Sequence, residues 1–141
     1  MIEPLRGELY DTTLRDGAQG TGFSYSIEDR LRILHKLDQL GVPFIEGGWP
    51  GANPRETEFF RLATGETLKH ATLTAFGMTR KAGEAADRSG VLRELLDAGT
   101  EVVCLVGASG CGKLTLLRCV NLLLPIHEGR LVVQRVHLTA Q

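Results

Sequence analysis

The chain has 141 residues, 43% of them hydrophobic and 23% charged, with a formal net charge of -1. This balance suits a soluble globular domain and gives no bulk charge for a nucleic acid or a membrane surface. No apolar run approaches the ~20 residues of a membrane span, and 1–7 lack a signal-peptide core. The three cysteines, Cys104, Cys111 and Cys119, have no C-x-x-C spacing, which points to free thiols in a reducing cytoplasm.

A short strand is expected at Glu8 to Asp11, running into a loop that presents Arg15 beside Asp16, with Gly17 allowing a sharp turn. Ser26 reads as the cap of a helix with acids in its first turn, an apolar face at Leu31, Leu34, Leu37 and Leu40, and a stop at Gly41. The run 42–46 is strand-like, and Pro43 is tolerable only near its beginning. Asn53, Pro54 and Glu56 mark a second helix start; Phe59, Phe60 and Leu62-Ala63 supply its buried face, and Gly65 ends it. A third strand is expected at Ala71 to Phe76, a loop or weak helix at 79–89, and a short helix at Val91 to Ala98 closed by Gly99. Val102 to Val106 is continuously apolar and reads as a buried strand, with Cys104 as a core filler. Strand–helix alternation at this interval means parallel βαβ units, which place their chemistry at the carboxyl ends of the strands.

Arg15, Asp16 and Glu46 fall at such ends. Carboxylate oxygen suits hard divalent cations, and a fixed guanidinium can stabilise negative charge developing on a bound oxygen. The competing reading is a surface Arg-Asp pair in a turn and, for Glu46, a polar residue ending a strand. The stretch Tyr10-Asp11-Thr12-Thr13-Leu14-Arg15-Asp16-Gly17-Ala18-Gln19, followed by Phe44-Ile45-Glu46-Gly47-Gly48-Trp49-Pro50-Gly51, resembles the citramalate, isopropylmalate and homocitrate synthases. The likeness runs over about residues 8–106 and, through Gly-Gly-Trp-Pro-Gly, favours the citramalate type. It implies a (β/α) barrel and a condensation of acetyl-CoA with a 2-keto acid such as pyruvate. It also implies a divalent Mg or Mn ion on Asp16, Arg15 steadying the keto oxygen and enolate charge, Glu46 completing the set, and Gln19 near substrate. Members of that family have eight strands and a His-x-His pair of ligands; His35, His70, His127 and His137 offer no such spacing.

After residue 100 the pattern changes. Gly107-Ala108-Ser109-Gly110-Cys111-Gly112-Lys113 is a glycine-rich phosphate loop between a buried strand and a helix expected at Leu114 to Leu123. With Gly129-Arg130-Leu131-Val132-Val133 it resembles the ATP-binding subunits of ABC transporters for polar amino acids. The resemblance implies nucleotide contacts from Gly107, Ser109, Gly110, Gly112, Lys113 and Thr115. Leu114 replaces the Ser or Thr that would hold Mg²⁺, and Thr115 lies about 100° around the helix from it. No Walker B or signature motif follows.

The expected architecture is therefore α/β: a partial (β/α) barrel over 1–100, joined to a P-loop βαβ fragment over 101–141, with a fifth strand from Leu131 to Val136 in a mostly parallel set. Such a set cannot close, so self-association through open sheet edges is expected. Three functional readings stay open: an acyl-CoA condensing enzyme, a nucleotide-binding subunit, and a non-catalytic chimeric fragment.

Overall fold

The computed structural model describes residues 7–20, 22, 24–79, 81, 83–106, 114, 130–133 and 136–139. They fall into two compact units, Met1–Val106 and Gly107–Gln141.

In the first unit, strands β1 (Tyr10–Asp11), β2 (Phe44–Gly48), β3 (Thr72–Met78) and β4 (Val102–Val106) form one sheet in the order β1-β2-β3-β4, all parallel. Helices α1 (Ile27–Gln39), α2 (Pro54–Ala63) and α3 (Gly90–Asp97) make the three crossovers that parallel pairing requires. Single 3-10 turns lie at Gly17–Gln19 and Ala86–Arg88. The observed order is that of a parallel α/β sheet, and four strands are half of an eight-stranded barrel.

Local chemistry explains the boundaries. Ser26 caps α1 through a capping box: its hydroxyl accepts from Asp29 N–H, while the Asp29 carboxylate accepts from Ser26 N–H. The side chain of Asn53 caps α2, accepting from the amides of Arg55 and Glu56, and Pro54 takes the first helical position. Gly41, at φ 78°, follows α1 in the left-handed conformation common after a helix. Leu40 does not complete the apolar stripe of α1: it is the C-cap and largely exposed, because the chain already turns away there.

The helices pack against one face of the sheet. Ile45, Leu73 and Ala75 meet Leu34, Phe59 and Phe60 in the buried core. By the two-residue alternation of a strand, the opposite face carries Tyr10, Phe44, Glu46, Thr74 and Phe76. Tyr10 stacks beside Phe44 at 6.5 Å and shares a 2.9 Å hydrogen bond with the Thr74 hydroxyl. Cys104 is only partly buried on β4, so it is not the core filler the sequence suggests.

At α1's far end, the buried Asp38 carboxylate accepts hydrogen bonds from the backbone amides of Lys69, His70 and Ala71, the segment leading into β3. Burial alone would raise this carboxyl's pKa. The three amides and the nearby His70 outweigh that and hold it down at about 2.

The second unit contains, among its described residues, strands β5 (Arg130–Val133) and β6 (Val136–Thr139), paired antiparallel. The sequence suggests a single strand from Leu131 to Val136 in a parallel set. Only Gln134 and Arg135 separate β5 from β6, too few for a parallel crossover, so the segment folds as a hairpin. The phosphate loop expected at Gly107–Lys113 and the helix expected after it lie outside the described residues, Leu114 excepted.

Candidate active site at the carboxyl rim

The rim is built from the ends of β1 and β2. Just after β1, the amides of Arg15, Asp16 and Gly17 all bond the Thr12 carbonyl, which winds the loop tightly. Asp11 fixes it from the strand side, its carboxylate accepting from Thr13 N–H at 2.9 Å and from the Thr13 hydroxyl at 3.0 Å. This is an Asx-type turn, a local alternative to continuing the strand. Leu14 anchors the loop in the core, so Arg15 is thrown back over the sheet.

There Arg15 meets Glu46. Its Nε donates to Glu46 Oε2 at 2.7 Å, its Nη1 to Asp16 Oδ1 at 3.4 Å, and its guanidinium carbon lies 4.5 Å from the centre of the Phe76 ring. The Glu46 side chain is 1% exposed, whereas that of Asp16 is 65% exposed. The hydrogen bond that Arg15 donates to Glu46 raises the Arg15 pKa above its ordinary value, with added help from the charges of Glu46 and Asp16. The guanidinium is therefore a fixed cation, with part of its donor fork still uncommitted by these contacts. Behind it, burial pushes the Tyr10 hydroxyl up to about 12; the hydrogen bond shared with Thr74 partly offsets this, and the Glu46 charge adds to it. Tyr10 thus stays a neutral hydrogen-bonding group.

A cleft of about 330 Å³ opens beside this pair, lined among others by Arg15, Gln19, Arg30, Trp49, Arg55 and Glu56. The sequence motif thus brings Arg15, Asp16 and Glu46 into one cluster, with Gln19 on the wall of the adjoining cleft. The nucleotide-site residues Gly107, Ser109, Gly110, Gly112, Lys113 and Thr115 lie outside the described residues.

Sequence reasoning missed two charged groups beneath the rim. Arg30 is 4% exposed; it donates to both Glu56 oxygens, at 2.8 and 3.0 Å, donates to the Gly47 carbonyl, and lies 3.9 Å over Phe59. Its Nε, like Nε1 of Trp49, is buried without a hydrogen-bond partner among the described residues. The available signal was spacing: Arg30 and Asp38 stand four residues either side of Leu34, on the helix stripe that is fully buried. Glu56, part of the helix start expected from the sequence, pairs its carboxylate with Arg30.

No group of three or more His, Cys, Asp or Glu side chains gathers among the described residues. Glu46 already accepts from Arg15, while Asp16 is an exposed carboxylate with only a long contact to Arg15. Asp16 fits as one protein ligand to a hard cation, which takes six or more oxygens in total. It does not make a site alone. Among the described residues no helix is long and apolar enough to cross a membrane.

A family model described as HMGL-like matches residues 6–109. The (R)-citramalate synthase of Streptomyces coelicolor is 54% identical over 102 residues, covering 72% of this chain and 19% of that protein. That of Synechocystis is 52% identical over 101 residues, covering 72% and 18%. A probable 2-isopropylmalate synthase of Methanopyrus kandleri is 46% identical over 65 residues, covering 46% and 13%. The chain thus spans about a fifth of the length of the curated citramalate synthases it matches.

Proposed function

This chain belongs to the HMGL-like family, and on that premise we propose that it carries the first catalytic rim of an acyl-CoA condensing transferase of the citramalate synthase type. The reaction is a Claisen-type joining of acetyl-CoA to a 2-keto acid such as pyruvate. The single observation supporting this reading is the Arg15–Glu46 pair at 2.7 Å, with Asp16 exposed beside it at the strand ends.

In this reading Arg15 donates to the keto oxygen and meets the negative charge that grows there as the new carbon–carbon bond forms. Glu46 holds the guanidinium in place from below, so little reorganisation is needed during reaction. Gln19, on the wall of the cleft, orients the bound acid. Asp16 would be one ligand of a divalent Mg or Mn ion, with substrate and water supplying others. When bound, that ion supplies Lewis-acid polarisation of the carbonyl.

Calorimetric titration tests the proposal. Mn²⁺ with pyruvate should give heat with the native chain and none with Asp16→Ala; unchanged Mn²⁺ affinity in that variant overturns the metal assignment. A second reading concerns the segment after Val106, where the glycine spacing and Lys113 favour phosphate binding. ATP heat that disappears in Lys113→Ala supports it, and a silent ATP titration overturns it. We further propose that copies of the chain associate through the edges of the four-stranded sheet.

A further inference from the structure

We propose that Arg30 is a positioning residue for Glu46, acting through the β-bulge at the end of β2. This rests on the rim reading above for its importance, but not for its test.

In the ladder, Glu46 pairs with Thr74, and Gly48, not Gly47, pairs with the next residue, Ala75. Gly47 is therefore the extra residue of a bulge. A bulge re-aims the neighbouring side chain and breaks the ladder locally. The Gly47 carbonyl is instead held by the guanidinium of Arg30, on α1. That guanidinium is fixed in turn by two hydrogen bonds to Glu56, on α2, and by stacking on Phe59. The orientation of the Gly47–Gly48 peptide, one residue beyond Glu46, is thus set by a charged clamp reaching in from the helix layer.

The two glycines are what let this clamp close. Gly48 adopts φ 128°, and a Cβ there would lie 2.5 Å from Glu56 Oε2 and 3.2 Å from Arg30 Nη2. A Cβ on Gly47 would lie 3.0 Å from both Leu73 and Phe60. The bulge, the clamp and the Gly-Gly pair form one device, and its output is the direction in which Glu46 leaves the strand toward Arg15.

The test reads the Arg15 Nε–H proton, which donates to Glu46. In the native chain its ¹⁵N-resolved NMR signal should be shifted downfield and protected from solvent exchange. Arg30→Met should speed its exchange by about tenfold or more while circular dichroism shows the fold retained. Glu56→Gln, at a position accessible enough to tolerate it, should do the same to a lesser degree. Arg30→Lys, which keeps a donor for the Gly47 carbonyl, should restore part of the protection. Asp38→Asn, which weakens the other end of the same helix, should leave the signal unchanged. Unaltered Arg15 exchange in folded Arg30→Met and Glu56→Gln overturns the proposal, as does equal loss in Asp38→Asn. If Arg30→Met does not fold, Glu56→Gln and Arg30→Lys decide it by the same readout. If Mn²⁺ and pyruvate give no heat while the Arg15 signal responds as expected, the functional reading fails and the positioning role stands.

Discussion

Burial of charge decides which single residues matter here. Asp38 is the clearest case, because three backbone amides hold its carboxylate in the charged form. Its folded pKa, about 2, lies below the ordinary 3.8. A depressed carboxyl contributes stability that is fully present above the unfolded value and is lost as pH falls through the folded one. Urea unfolding between pH 5 and pH 2 should therefore show a loss of stability over the interval from about 4 down to 2 that is reduced in Asp38→Asn. The substitution itself should cost roughly 1–3 kcal/mol at neutral pH, since at least one buried amide loses its acceptor. None of this was legible beforehand. The motif letters at 15, 16 and 46 could be read because they stand at strand ends, where chemistry is expected. Nothing local in the sequence separates Arg30 and Asp38 from solvated helix positions, and Glu56 marks only the start of a helix. Their partners are backbone groups and side chains 17 to 33 residues away, which no local pattern encodes.

The secondary elements were far more legible than those long-range bonds, because their ends are fixed by local chemistry. Ser26, Asn53 and Pro54 occupy the capping positions that their side chains suit, and Val102–Val106 forms a strand over the whole apolar run. Replacing Ser26 by Ala removes the acceptor for Asp29 N–H and should lower stability by about 1 kcal/mol in chemical denaturation. A change below a few tenths would mean that Asp29 alone sustains the first turn. The errors also have local causes. β1 is shorter than the expected 8–11, since Leu9 is exposed and only Tyr10 and Asp11 find partners on β2. β2 extends through Gly47 and Gly48, which read as loop residues but serve the bulge. A strand from Leu131 to Val136 is expected from the sequence because no glycine or asparagine marks a turn between the apolar run Leu131–Val133 and Val136.

Across the whole molecule, the described residues of the first unit form an open parallel sheet rather than a closed barrel. Among the described residues neither β1 nor β4 pairs with a further strand, and Tyr10 and Val106 on those strands are exposed apolar groups. Unpaired edges of this kind template pairing with another chain. Sedimentation of the purified chain should reveal species heavier than the monomer, increasing with concentration; a clean monomer across the accessible range counts against association. Parallel topology could be inferred from strand–helix alternation, since each crossover needs a helix. The extent of the sheet could not, because closure depends on strand number and not on any local signal.

β1 is joined to β2 through just two residue pairs, Tyr10 with Phe44 and Asp11 with Ile45. The rest of that seam is fastened by side chains, Arg15 on Glu46 and Tyr10 on Phe44, and Tyr10 reaches past it to Thr74 on β3. The seam with the fewest residue pairs in the sheet and its proposed reactive corner are thus the same place. When heat or denaturant peels the first strand away, the guanidinium should depart with it, so the proposed chemistry should end while the other three strands still stand.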